Sequence, residues 1–136
     1  MNFDLKRLKN TLETISSIDF ALIFGSSKAG EVKTNSDVDI GIYFNSPAVL
    51  YFDEMSRILT VLEEKFPGIT FDIIRLNTAG IIVQMEALKG NAVFVRDIDK
   101  YAEFYSITSR EYEDHIYWIK KQLLYRGYIN EVQWNN

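Results

Sequence analysis

Along residues 37–44, DVDIGIYF, the side chains Val38, Ile40, Ile42 and Phe44 alternate with Asp37, Asp39, Gly41 and Tyr43. A period of two is the signature of a β-strand with one buried face, so the aliphatic set and the acidic set point to opposite sides of a sheet. Two carboxylates at i and i+2 then stand roughly 5 to 7 Å apart on one surface and repel each other. A divalent cation offsets that cost, because Mg²⁺ prefers one or two carboxylates together with substrate phosphates.

The remaining chain alternates helices and strands. Phe3, Leu5, Leu8, Leu12 and Ile15 mark an amphipathic helix over about residues 3 to 16, and DFALIFG reads as a buried strand. Ser46-Pro47 looks like a cap and first turn, opening a helix that runs to Lys65 and stops at FPG. GITFDIIRL repeats the strand pattern, with Ile69, Phe71 and Ile73 on one face and Thr70, Asp72 and Ile74 on the other. A third acid thus sits in the middle of a strand. Thr78 is positioned to cap a helix that ends near Lys89-Gly90, where glycine suits the left-handed position. AVFVRD follows as a short strand, and a helical pattern runs from about Asp99 to Arg126, with SITS as the place where it would break.

The order is α-β-(short α)-β-α-β-α-β-α, an α/β arrangement of about four strands. The 136 residues carry no repeat and no Pro/Gly/Ser-rich linker, which leads to one domain, 1–136, with about 98–136 as a helical tail. Hydrophobic residues at 47% and charged residues at 25% are globular proportions. The lack of cysteine excludes a disulfide framework and thiolate metal sites. With no basic-then-apolar leader and no 18-residue apolar run, the expectation is a cytoplasmic protein with no membrane partner. A net charge of -4 speaks against a broad grip on a nucleic-acid backbone, so no direct nucleic-acid partner is expected.

Gly25-Ser26 follows the strand that ends at Phe24 and precedes a segment suited to a short helix. Backbone N–H groups there and the Ser26 hydroxyl can cradle phosphate oxygens, and Gly25 lets the backbone approach closely. Ser36, just before the first acid, serves either its local backbone or the nucleotide. Together with Asp37, Asp39 and Asp72 these residues describe a metal-assisted phosphoryl or nucleotidyl transfer site, in which two cations hold the attacking and leaving oxygens in line.

The stretch GSSKAGEVKTNSDVDIGIYF carries a G-S-x10-D-x-D signature and resembles the minimal nucleotidyltransferases (MNT) of the DNA polymerase β superfamily, found paired with HEPN-domain proteins. The resemblance extends through the third acid in FDIIRLN to GNAVFVRD and the helical tail. It implies a mixed sheet flanked by helices, a Mg²⁺-bound nucleoside triphosphate and release of pyrophosphate. Gly25 and Ser26 would hold the triphosphate, Asp37 and Asp39 would bind both metals, and Asp72 would bind the catalytic metal and help deprotonate the attacking hydroxyl. Many relatives read G-S-x-A-[RK]-G, whereas Lys28 and Ala29 are transposed here and Gly30 is kept. For the antitoxins of the family the resemblance implies transfer of AMP from ATP to a tyrosine of a HEPN ribonuclease toxin. A binding module that silences its partner by occlusion, and an enzyme modifying a small molecule such as an aminoglycoside, are compatible with the same residues.

Two further features lie in the tail. Arg110, His115 and Tyr117 spell the R-x4-H-x-Y pattern of HEPN toxins, but a chain that spends about 95 residues on an α/β unit lacks the length for such a helical bundle, and coincidence is the expected reading. Six of the eight tyrosines and both tryptophans lie after residue 100, which suits either packing on the sheet or a docking surface.

Overall fold

The computed structural model describes residues 4–25, 37–46 and 50–127. The elements are α1 (Leu5–Glu13), β1 (Ile18–Phe24), β2 (Val38–Phe44), α2 (Tyr51–Lys65), β3 (Phe71–Arg75), α3 (Ile81–Leu88), β4 (Asn91–Val95) and α4 (Ile98–Tyr125). The short helix expected after Gly25 lies outside the described residues.

The four strands form one mixed sheet in the order β3-β2-β1-β4. β1 runs antiparallel to both β2 and β4, while β2 and β3 are parallel. The central strand β1 is buried along its whole length, Asp19 included, which explains why FALIF is a continuous apolar run rather than an alternating one. On one face, Ile40 and Ile42 meet Leu8 and Leu12 of α1 and Ile58 and Leu62 of α2. On the other, Phe20, Leu22 and Phe24 meet Ala87 of α3 and Phe104 of α4. Phe20 stacks on Tyr43 with ring centres 4.9 Å apart and takes the edge of Tyr101 at 5.1 Å. The alternation read from β2 and β3 therefore holds, and the face carrying the acids is itself covered over part of its length.

Several boundaries differ from expectation for identifiable reasons. Asp4 caps α1, accepting from the N–H groups of Lys6 at 3.0 Å and Arg7 at 3.2 Å, so the helix starts two residues later than its apolar pattern. Ser46 does not open α2, which begins at Tyr51. Its hydroxyl donates instead to Glu54 Oε1 at 2.5 Å. Thr78 does not cap α3, because Gly80 occupies the N-cap position and the helix starts at Ile81. Gly90 is not left-handed. It is required by contact, since a Cβ there would collide with the Ile23 carbonyl oxygen and meet Phe24 Cα at 2.9 Å. No break occurs at SITS: α4 is a single helix of 28 residues, with Thr108 buried on its inner face, and packing overrides the weak local propensity.

Tyr101 and Phe104, near the start of α4, pack at the end of the sheet where β1 begins and β2 finishes. Tyr112, two turns on, meets Lys89 at the opposite end, with the Lys89 amine 5.5 Å from the ring centre. The last dozen residues of α4 thus run past the sheet by roughly 18 Å. No described helix is long and apolar enough to cross a membrane.

Candidate active site

The topology collects the predicted chemistry at one end of the sheet, where β1 finishes and β2 and β3 begin. Asp39 is the second residue of β2 and pairs in register with Asp72 of β3 on one side and with Phe24 of β1 on the other. Neighbouring strands are about 4.8 Å apart, so Asp39 and Asp72 face the same side as close neighbours. Asp37 immediately precedes β2 and shares that face with Asp39. A hydrogen bond from the Val38 N–H to the Thr70 carbonyl oxygen, 2.9 Å, ties the two strand starts together.

Gly25 follows β1 directly and has φ +70°, a conformation that L side chains rarely adopt. A Cβ at this position would lie 2.5 Å from Asp39 Oδ2, so the glycine makes room for the carboxylate as well as for the turn. Ser26, Ser36, Lys28 and Gly30 lie outside the described residues.

Electrostatics single out Asp39. Burial, then the charge of Asp72, then that of Asp37 push its carboxyl above the ordinary aspartate range. Asp37 and Asp72 are both exposed, whereas Asp39 is half-buried. The three side chains are close enough to act on one another. Among the described residues, however, no three acidic, histidine or cysteine side chains are already drawn together as a metal-binding group. The donor set is hard oxygen throughout, and mutual repulsion of this kind is what a divalent cation relieves. On that ground the residues fit Mg²⁺, which Asp37, Asp39 and Asp72 would hold.

The strand register that aligns the acids is fixed far from them. Beyond the end of β3, the Asn77 side chain accepts from the Phe44 N–H and donates to the Phe44 carbonyl oxygen, both at 2.9 Å, extending the ladder by one side-chain rung. Nothing in the sequence distinguished this asparagine from an ordinary loop residue, and Gly90 read as a helix stop rather than a contact. A pocket of about 270 Å³ lies at that distal end, lined by Tyr43, Asn77, Gln84, Lys100 and Phe104 among others. Tyr43 is four residues along β2 from Asp39, roughly 13 Å away, so the pocket and the acids are separate features.

Arg110, His115 and Tyr117 all lie on α4, a single helix packed against α3 and the sheet, with Arg110 and Tyr117 exposed and His115 half-buried. The aromatic residues of the tail divide. Phe104 belongs to the core and the half-buried Tyr101 packs against it, while Tyr117, Trp118 and Tyr125 are 57%, 58% and 87% exposed. Tyr128 and Trp134 lie outside the described residues.

The sequence profile described as Polymerase beta, Nucleotidyltransferase matches residues 6–99. No curated protein sequence matches the chain. Among solved structures, a chain of a toxin–antitoxin complex with AMP-PNP superposes with a TM-score of 0.66 at 15% identity, covering 93% of this chain and 100% of that one. A chain of the complex between a tri-AMPylated Shewanella oneidensis HEPN toxin and its MNT antitoxin superposes with a TM-score of 0.59 at 13% identity, covering 91% and 99%. A putative minimal nucleotidyltransferase gives 0.51 at 22% identity, covering 65% of this chain and 94% of that one. At these identities the likeness establishes the fold, that of a nucleotidyltransferase.

Proposed function

Because the chain belongs to the polymerase beta nucleotidyltransferase family, we propose that it transfers AMP from ATP to a tyrosine of a HEPN-domain toxin and thereby acts as its antitoxin. The observation that carries this reading is the register of Asp39 opposite Asp72, with Gly25 against the Asp39 carboxylate. The solved complexes add support: the Shewanella oneidensis pair contains an AMPylated HEPN toxin, and another was obtained with AMP-PNP.

In this reading Gly25 and Ser26 receive the triphosphate, and Ser36 stands beside the first acid as a nucleotide contact. Asp37, Asp39 and Asp72 would hold Mg²⁺, two ions in all, which would supply positive charge to offset that of the phosphates. Asp72 takes the proton of the attacking tyrosine hydroxyl. The phenolic oxygen then bonds to the α-phosphorus, the bond from that phosphorus to the bridging oxygen breaks, and pyrophosphate leaves with the bonding pair. The whole chain works as one domain, 1–136. The exposed Tyr117, Trp118 and Tyr125, on the part of α4 that overhangs the acidic end, supply the surface for the protein acceptor.

The test is intact-protein mass spectrometry of the product of the neighbouring gene, incubated with this protein, ATP and Mg²⁺, with Asp37→Asn as control. Whole AMP increments with the wild type alone support transfer. An unmodified partner that is nevertheless bound and silenced assigns the chain to occlusion instead, a reading favoured by the exposed aromatic face of α4 alone.

A further inference from the structure

Three carboxylates and a nucleoside triphosphate remain net negative after two divalent cations are added, so a basic side chain is needed near the phosphates. Lys89 occupies the right place. It is the C-cap of α3 and leads directly into Gly90, which is pressed against Ile23 and Phe24 at the end of β1. Phe24 pairs with Asp39 and is followed by Gly25. The Lys89-Gly90 turn is therefore about two strand spacings, roughly 10 Å, from Asp39, on the side of Phe24 and Gly25.

The state of the amine fits a cation that can be recruited. Lys89 Nζ lies 3.7 Å from Glu86 Oε1 and 5.5 Å from the Tyr112 ring centre, and its side chain is 57% exposed. An exposed ion pair one helical turn away and a half-buried aromatic ring hold a lysine weakly, and a phosphate oxygen is a stronger partner than either. The four-carbon stem can swing from α4 toward the end of β1 without moving the backbone. Arg75 and Arg96 are committed elsewhere: Arg75 donates to the Ser46 carbonyl oxygen, and Arg96 to those of Ile18, Glu13 and Ile15.

We propose that Lys89 binds the terminal phosphates of the nucleotide and so makes the site select a triphosphate over a monophosphate. The proposal rests on the nucleotidyl-transfer reading above. It is tested by calorimetric titration of ATP, ADP and AMP, each with Mg²⁺, into the full chain and its Lys89→Gln and Lys89→Arg variants. The wild type is expected to bind ATP more tightly than AMP. Lys89→Gln should weaken ATP about tenfold and leave AMP unchanged, with Lys89→Arg recovering most of the loss. Unchanged ATP binding in Lys89→Gln, or an equal loss for ATP and AMP, overturns the assignment while leaving the catalytic reading intact. A wild type that binds none of ATP, GTP, CTP or UTP overturns both.

Discussion

Burial and the facing charges of Asp72 and Asp37 hold Asp39 above the ordinary aspartate range, so its ionised form costs the cation-free protein stability. Below the ordinary value, near 3.9, the proton is bound in folded and unfolded chains alike. As pH climbs through the raised folded value, the folded chain keeps its proton longer than the unfolded one, and this side chain's contribution to stability falls. Asp39→Asn should therefore melt at a higher temperature than the wild type at pH 7 without added Mg²⁺, with the gap closing near pH 3, and should lose transfer. A lower melting temperature at pH 7 would contradict the electrostatic account. At the neighbouring position, Gly25→Ala places a methyl group on Asp39 Oδ2 in a left-handed turn. Denaturant unfolding should register a loss of about 1–3 kcal/mol. These residues were legible because a period of two fixes the face of a side chain wherever the strand lies. The contact that makes Gly90 obligatory was not, since it depends on how closely α3 settles on β1, and no local pattern records that distance.

Elements align the acids as much as the acids' own strands do. The parallel pairing of β2 with β3 sets Asp39 against Asp72, and its distal end is closed by the two hydrogen bonds of Asn77 to Phe44. Asn77→Ala should cost about 1–3 kcal/mol in chemical denaturation, because it leaves a buried strand end with an unpaired donor and acceptor. The same variant should lower transfer without altering the acids themselves. Asn77→Asp, which keeps the acceptor and loses the donor, should fall between the two. Helix existence and order followed from apolar spacing, yet two starts did not. Ser46 and Thr78 have capping chemistry, but one is engaged by Glu54 and the other stands outside a helix that Gly80 opens. The continuity of α4 through SITS has the same origin, for Thr108 is buried rather than exposed to solvent.

At the scale of the molecule, an α/β unit places its acids at one end, and a long helix carries an aromatic face beyond that end. Replacing Trp118 and Tyr125 together by alanine should weaken the complex with the proposed HEPN-domain partner by about 2 kcal/mol or more in a calorimetric titration, while ATP binding stays unchanged. Loss of both together would mean that the helix supports the site rather than the partner. The central claim concerns which phosphorus is attacked, and labelled ATP answers it directly. The HEPN-domain partner is incubated with the enzyme and Mg²⁺, once with ATP labelled at the α-phosphorus and once with ATP labelled at the γ-phosphorus, and the label on the partner is counted. The account expects the α-label on the partner, the γ-label in pyrophosphate, and neither on the partner with Asp39→Asn. Transfer of the γ-label would make this a kinase-like phosphoryl transfer and contradict the account.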